Sequence, residues 1–341
     1  MKKKIKISFL SNKKINVFQK FIKLNHSKNH IFVKSSKVLK WFYDNKKKMN
    51  FVIAQKDKNI LGVQGFIPLN RFDAKLDNSI FLAYWRVKKT KEIGIGLKIF
   101  KYLSKNKNFM GVVGIEDNLL SYHKWQGFSV GKLNHHFIKN KDYTFPIFIK
   151  KKIFSKSKKI EFKFVIIENA NISEEINEDI FKYQFPKKSK KYILNRYVNN
   201  PFYNYKIYKV TIFNRTVLFV IRMIEIKKTK ILKLIDFIGR QENIKYCGKF
   251  FDFILNKYDA EYLDFYSFGL KERYLKMAGF IDRYSTNLIL PDHFEPFEFK
   301  NIDINYAFKF SLKREEKKYL SKLRIVKGDG DMDRPASTKS I

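Results

Sequence analysis

Apolar and polar positions in the first part of the chain change between two periods. Period-two alternation predicts a strand at Ile5–Leu10, and helical spacing predicts helices at Val17–Leu24 and Val38–Tyr43. Two further apolar runs, Asn50–Gln55 and Ile60–Pro68, flank a short polar turn and predict a β-hairpin. The chain is therefore expected to begin with a strand, two helices and a hairpin, which is a mixed α/β pattern.

The next segment, FLAYWRVKKTKEIGIGLKIFKYL over 81–103, has an apolar strand pattern, a polar loop and an amphipathic helix pattern. A loop of this kind at a helix N-terminus favours anions, because backbone N–H groups and the helix dipole point towards it. Gly94 and Gly96 lack a Cβ and allow a ligand to approach the backbone. A second apolar strand, Phe109–Ile115, and the run SYHKWQGF over 121–128 follow. This order predicts a site for a phosphate-bearing ligand.

Together these segments resemble the GNAT superfamily of acyl-CoA-dependent N-acyltransferases. The run KEIGIG over 91–96 is similar to that family's pyrophosphate loop, with lysine where the family has Gln or Arg. The family's second signature, an Asn followed by a helix with a Tyr before a Gly-Phe pair, is matched by Asn118, Tyr122 and the pair at 127–128. The resemblance implies an α/β fold with a mixed sheet and acetyl-CoA or another acyl-CoA as co-substrate. No Cys/His cluster has the spacing of a zinc site, so no metal is expected.

The resemblance also implies roles for individual residues. The family's Tyr usually lies four positions before the Gly, where this chain has His123, with Tyr122 one position earlier. Either is therefore a candidate acid for the leaving thiolate. Glu116 is a candidate base for the amine through a water, and His135 and His136 are alternatives. The implied cofactor contacts are the Val87 backbone at the thioester carbonyl, Asn118 beside the pantetheine arm, and the loop residues Lys91, Glu92, Ile93, Gly94, Ile95 and Gly96.

Each candidate side chain also has a structural interpretation. Tyr122 near a Gly-Phe pair suits a core tyrosine with a bonded hydroxyl, and His123 suits partial burial. Glu116 suits an acid that complements a helix N-terminus. Among these candidates, only the glycine loop has a sequence pattern that favours a functional interpretation over a structural one.

The second half repeats the pattern of the first. RYLKMAGF over 273–280 aligns with SYHKWQGF, and Glu261–Phe265 is the matching strand. A helix at Gly248–Leu255 and a strand at Lys230–Ile238 precede it. The segment over 237–241 has one glycine where the first half has two, so we expect coenzyme A to bind in the first half. The chain thus reads as two tandem GNAT-like domains.

The domain boundary is predicted in the basic run KKKIFSKSKK over 150–159, after strand-like segments at Lys132–Lys139 and Phe145–Lys151. The resulting domains are 1–152 and 160–325, followed by a tail at 326–341.

The second half is also similar to tandem GNAT proteins found among bacterial surface-polysaccharide biosynthesis genes. That resemblance implies acylation of an amino sugar, with a nucleotide-linked sugar as the expected acceptor. In the tail, Asp329, Asp331 and Asp333 alternate as in a calcium loop, but Arg334 and Ser340 stand where the loop needs Gly and Glu, so no metal is expected. The matching segments are Arg196–Val210, Leu232–Gly239, Ala260–Leu270, Ile289–Ile302 and Lys327–Pro335.

Composition changes the picture only in part. The net charge is +39, but most basic residues are lysines spread along the whole chain, which favours biased composition over a dedicated nucleic-acid partner. Weak association with anionic membrane surfaces is expected. A single cysteine, Cys247, and the lack of an apolar run of about 20 residues predict a cytoplasmic protein. Two alternatives stay open: an aminoacyl-tRNA-dependent peptidoglycan-type transferase, and a non-catalytic glycan- or nucleic-acid-binding protein.

Overall fold

The computed structural model describes residues 4–46, 48–150, 162–167, 176–226, 228–294 and 296–337. Its internal contacts divide the chain into two compact units. The first unit contains 1–130, 307–312 and 329–341, and the second contains 131–306 and 313–328. The described residues form two eight-stranded mixed sheets, so the predicted α/β class with mixed sheets is confirmed.

The first sheet and its helices follow the predicted order, with one late strand added from the second half of the sequence. Its strands are β1 Lys6–Ser11, β2 Asp44–Asn45, β3 Lys48–Lys56, β4 Asn59–Pro68, β5 Ile80–Val87, β6 Phe109–Ile115, β7 Ser129–Lys132 and β15 Asn305–Phe310. Its helices are α1 Ile15–Asn25, α2 Ile31–Lys34, α3 Ser36–Tyr43, α4 Ile95–Leu103 and α5 Leu120–Trp125.

The strand order in the first sheet is β1-β3-β4-β5-β6-β15-β7, with β2 paired to β3. The strands β5 and β6 pair in parallel only where residues 80–82 face 110–112. On its other side, β5 carries a bulge against β4, where Ala83 and Tyr84 together oppose Gly65. Ile95, Ile99 and Leu103 of α4 are buried and pack into the core of this sheet, as their spacing predicts.

The second sheet contains β8–β14 and β16. Its strands are β8 Asn134–Lys139, β9 Lys163–Ile167, β10 Tyr205–Ile212, β11 Arg215–Ile226, β12 Thr229–Ile238, β13 Ala260–Phe268, β14 Ile281–Asp282 and β16 Ile325–Val326. The helices of this unit are α6 Lys190–Ile193, α7 Gly248–Lys257, α8 Glu272–Met277 and α9 Lys313–Tyr319, with a π-helical turn at Leu194–Val198.

The second sheet has the order β14-β8-β13-β12-β11-β10-β9, with β16 paired to β13. The parallel pair β12 and β13 is joined from Lys230 to Leu234, and the two strands separate beyond that point. This repeats the arrangement of β5 and β6, with α7 between the parallel strands as α4 is in the first unit. The repeat that the sequence predicts is therefore present as structure.

The expected strand at Phe145–Lys151 is wrong over 145–150, which contain no strand; Lys151 lies outside the described residues. Instead, the amides of Ile147, Phe148 and Ile149 donate to the buried Glu261 carboxylate at 2.9, 2.7 and 2.6 Å. The carboxylate thus replaces the partner strand that these N–H groups would need.

The predicted domain limits differ from the observed units. Residues 131–150 belong to the second unit because β8 pairs with β13, while 307–312 and 329–341 return to the first. Of the predicted boundary run over 150–159, all but Lys150 lies outside the described residues. Given their lengths and apolar content, none of the helices in the described part of the chain could cross a bilayer.

Candidate functional site

The first unit has an opening between its two parallel strands, because pairing of β5 and β6 stops after Leu82 and Val112. Beyond that point the strands diverge, and we call this opening the splay. Val87, the predicted backbone contact, is the last residue of β5 and pairs with Gly62 on the other side. A splay exposes strand edges inside a sheet, where a ligand can take the place of the missing partner.

The predicted glycine loop lies between the end of β5 and the start of α4. Gly94 is the residue before the helix, and its φ of 74° lies in the left-handed region that glycine adopts without strain. A Cβ there would meet no atom within 4 Å, so the backbone is open to a ligand. Ile95 is buried and anchors the first turn, and no acidic residue lies in that turn. The loop and helix start therefore form a free anion cradle.

The remaining loop residues differ in their contacts. Lys91 is exposed, and the side chain of Ile93 is 90% exposed. Glu92 binds Lys56, with 2.6 Å between the carboxylate and Nζ. This pairing offsets a negative charge that would repel a diphosphate in the loop.

A small cleft lies beside the splay on the α4 side. The indole of Trp85 covers Gly96 and stacks on Tyr122, with ring centroids 4.9 Å apart. The tyrosine hydroxyl and the Gln126 amide are buried there without a hydrogen-bond partner among the described residues. Unpartnered polar groups are expected where a ligand supplies the missing contacts. The cleft is lined by Gln64, Leu82, Trp85, Gly96, Phe100, Tyr122, His123, Gln126 and Phe128.

The protonation states of Tyr122 and His123 follow from their surroundings. Burial raises the pKa of Tyr122, partly offset by the nearby Gln126, so the phenol keeps its proton. His123 Nδ1 lies 2.9 Å from the Leu119 carbonyl, which can only accept, so Nδ1 carries the hydrogen. Burial also lowers the pKa of His123, so its Nε2 is unprotonated. Of the two predicted acids, only Tyr122 holds a proton to give.

Glu116 and Asn118 come directly after the divergent end of β6. Glu116 precedes a short 3₁₀ helix, Asp117–Leu119, which contains Asn118. Both side chains are exposed, and neither is among the residues that line the cleft. The structure thus places Glu116 at the open end of the splay and Asn118 on the surface next to it.

The opposite face of β5 carries side chains that the sequence patterns did not single out. Because neighbouring strand residues face opposite sides, Tyr84 points away from the cleft that Trp85 lines. The Tyr84 hydroxyl lies 3.2 Å from His26 Nδ1, and its ring also contacts His30. Arg86 on the same strand donates to the Asn25 carbonyl at 2.6 Å. The sequence offered one hint, the aromatic residues in the strand before the glycine loop. That pattern could not show which side of the sheet each aromatic side chain would occupy.

In the described part of the second unit, the position that corresponds to the splay is closed. The chain's own segment 325–328 enters between β12 and β13: Val326 pairs with Ser267, and the Gly328 amide donates to the Ile235 carbonyl at 3.0 Å. Lys327 of this segment forms an ion pair with the buried Asp292. At the degraded glycine loop, the Gly239 carbonyl accepts from Arg324 at 2.7 Å. The position equivalent to the splay is thus filled by protein.

The two alternative bases, His135 and His136, are buried in the second unit. His135 Nε2 lies 3.0 Å from an Asp264 carboxylate oxygen, and its ring stacks on Tyr266. Burial lowers the pKa of both histidines. Neither lines the cleft of the first unit. Across the described ranges, His, Cys, Asp and Glu form no group of three suited to a metal ion.

No protein-family model and no curated protein matches the sequence. Solved structures do match. A GCN5-related N-acetyltransferase from Anabaena variabilis is similar at 9% identity with a TM-score of 0.55, over 92% of this chain and 74% of that chain. A probable N-acyltransferase from Enterococcus faecalis matches at 7% identity with a TM-score of 0.53, over the same shares of 92% and 74%.

A third match is a glucosamine N-acetyltransferase region in a fungal multi-domain GH3 β-N-acetylglucosaminidase. The identity is 10% and the TM-score 0.50, over 90% of this chain and 38% of that longer chain. At such low identities these likenesses show the fold. The expected architecture of two tandem GNAT-like units is confirmed by the two mixed sheets and by these matches.

Proposed function

We propose that the protein is an acyl-CoA-dependent N-acyltransferase, with acetyl-CoA as the expected donor, and that the first unit carries the reaction. The observation that carries this proposal is the splay of β5 and β6 next to the open cradle at Gly94. A cradle for a diphosphate at one end of a gap in a sheet suits a ligand that has a diphosphate and a long, amide-rich arm.

In the proposed reaction, the amine nitrogen attacks the thioester carbonyl and the carbon–sulfur bond then breaks. The thiolate takes a proton from the Tyr122 hydroxyl, and Glu116 removes the proton of the amine through a water. Backbone N–H groups at the divergent end of β5, near Val87, would stabilise the oxyanion. His123 holds α5 in place through Leu119 and faces Tyr122 edge-on, with the ring centroids 5.8 Å apart.

For the acceptor we propose an amino sugar, nucleotide-linked, used in bacterial surface polysaccharide synthesis in the cytoplasm. Two observations support this choice. Segments of the second half, among them Ala260–Leu270 and Ile289–Ile302, resemble tandem GNAT proteins of that context. The fold also matches a region that acts as a glucosamine N-acetyltransferase.

A thiol-release assay tests the proposal. Purified protein is mixed with acetyl-CoA and with glucosamine, its phosphates or nucleotide-linked amino sugars, and free coenzyme A is measured over time. We expect acceptor-dependent release and a product heavier by one acetyl group. Binding of acetyl-CoA without transfer to any amine would contradict the catalytic proposal, and binding of tRNA instead would favour the aminoacyl-tRNA-dependent alternative.

A further inference from the structure

The open end of the splay carries two opposite charges, on the two strands that diverge there. Arg86 projects from β5 and Glu116 follows β6 directly. Both side chains are exposed, and no described residue forms an ion pair with either. Among the described residues, the guanidinium donates from Nε to the Asn25 carbonyl and makes no other hydrogen bond, so its two terminal nitrogens are available to an anion.

His26 follows Asn25, whose carbonyl accepts the hydrogen bond from Arg86. Its Nδ1 is 3.2 Å from the Tyr84 hydroxyl, and its ring stacks on that tyrosine at 5.6 Å. Burial lowers the pKa of His26. The positive charges of Arg86 and Arg334 lower this pKa further, and the negative charge of Glu116 raises it, so all three groups are within electrostatic reach of the imidazole. The imidazole is therefore neutral at neutral pH and adds no charge to those of Arg86 and Glu116.

The C-terminal segment braces this face of the first unit. Asp331 accepts from the Tyr43 hydroxyl at 2.6 Å and from Arg334 Nε at 3.1 Å. The Arg334 guanidinium also lies over the Phe32 ring, 4.9 Å from its centroid. The ion pair with Asp331 holds Arg334 in place on this face, whereas Arg86 and Glu116 are exposed and are not held by an ion pair to a described residue.

We infer that this end of the splay is an acceptor subsite for a molecule that carries both an amine and an anionic group, such as a phosphorylated amino sugar. Glu116 takes the ammonium group and Arg86 takes the phosphate, with Tyr84 and His26 beside them. Arg334 is a positioning residue. The inference rests on the proposed function, because the amine must meet the thioester through the splay. A bidentate arginine contact gives the anionic group a fixed direction.

Calorimetric titration tests the subsite with two probes, glucosamine 1-phosphate and glucosamine, on protein saturated with coenzyme A. We expect the phosphate to bind about tenfold tighter than the neutral sugar. Arg86→Gln should remove this preference and leave acetyl-CoA affinity unchanged, and Glu116→Gln should weaken both probes to a similar degree. Lys23→Gln, which removes an exposed charge from the nearby α1, should keep the preference.

Equal binding of the two probes by the wild type, or an unchanged preference in Arg86→Gln, would overturn the subsite. These results are separate from the proposed function. Acetyl-CoA binding with transfer to amines that lack an anionic group would leave the enzyme proposal standing without this subsite. A preference that disappears in Arg86→Gln would support the subsite even if no acetyl transfer were detected.

Discussion

Tyr122 and His123 are neighbours in the sequence, and only their contacts in the folded chain show which of them can act as the acid. Family spacing favours His123 as the acid, yet the hydrogen bond to Leu119 holds its proton on the wrong nitrogen. Tyr122 has its hydroxyl buried in the cleft under Trp85. Tautomers and burial depend on distant contacts, so sequence spacing could name the pair of candidates and could not choose between them.

Tyr122→Phe should lower kcat about 100-fold, because the thiolate then has no proton donor, with little change in acetyl-CoA affinity. His123→Gln, which keeps a donor for the Leu119 carbonyl, is the matched variant and should retain most of the activity. Steady-state thiol release with both variants checks this. Equal losses in the two variants, or none in Tyr122→Phe, would remove Tyr122 from the role of acid.

His30 gives a prediction about stability and pH. Burial, with Arg334 and His26, lowers its pKa from 6.5 to about 3, and its Nδ1 accepts from the Phe32 amide at the start of α2. The unfolded chain therefore takes up a proton first as the pH falls below 6.5, so this contribution to stability is lost between about pH 6.5 and 3.

His30→Asn keeps an acceptor at the helix start and removes the titrating group. Between neutral pH and about pH 5, the wild type should lose up to about 2 kcal/mol more unfolding free energy than this variant. Urea unfolding at both pH values measures the difference. A loss that is the same in the two proteins would mean that His30 is protonated without cost in the folded state.

At the scale of elements, periodicity predicted most of the first sheet correctly. Phe109–Ile115 was predicted to the residue, and the strands around Asn50–Gln55 and Ile60–Pro68 were off by one or two positions. The secondary-structure predictions were wrong where a group far away in the sequence satisfies the backbone of a segment. Residues 145–150 have strand composition, but the Glu261 carboxylate satisfies their amides. No local pattern announces that carboxylate.

The gap between β12 and β13 that residues 325–328 fill is another feature that depends on distant residues. The sequence pattern excludes a calcium loop in the tail and predicts no strand partner for it. Its place in a sheet depends on strands about 60 to 90 positions earlier, β12 and β13. A Cβ on Gly328 would lie 2.6 Å from the Tyr197 hydroxyl and 2.9 Å from the Ile235 carbonyl oxygen. The segment can approach these groups only as glycine.

Gly328→Ala should therefore lower the unfolding free energy by about 1–3 kcal/mol, since the backbone carbonyl cannot move aside as a flexible side chain would. Thermal unfolding followed by circular dichroism is the measurement. An exposed-site substitution in the same unit, Lys317→Ala on α9, serves as the control and should change the melting temperature little. An unchanged melting temperature in Gly328→Ala would mean that 325–328 is not seated between the strands.

At the scale of the molecule, the sequence predicted two tandem units and their shared fold. It did not predict that the units are discontinuous, with 307–312 and 329–341 returning to the first. Hydrophobic periodicity gives the type of an element and carries no information about which sheet it joins. The repeat of SYHKWQGF and RYLKMAGF located the second unit, and α5 and α8 occupy corresponding places.

The net charge of +39 also belongs to this scale. It should speed the association of an anionic donor such as acetyl-CoA, and this effect should fall as ionic strength rises. Stopped-flow binding at low and physiological salt would show a slower association rate at the higher salt. A rate independent of salt would show that the charge does not steer the ligand to the cradle at Gly94.

The most direct test of the central claim is calorimetric titration with acetyl-CoA of the wild type, Gly94→Asp and Gly94→Asn. Asp and Asn both tolerate the left-handed backbone at this position and differ mainly in charge, so the pair separates repulsion of the diphosphate from strain. We predict micromolar binding at one site per chain, loss of binding in the Asp variant and retention in the Asn variant. Absence of binding in the wild type, a second site, or equal affinity in the two variants would contradict the assignment of the donor site to the first unit.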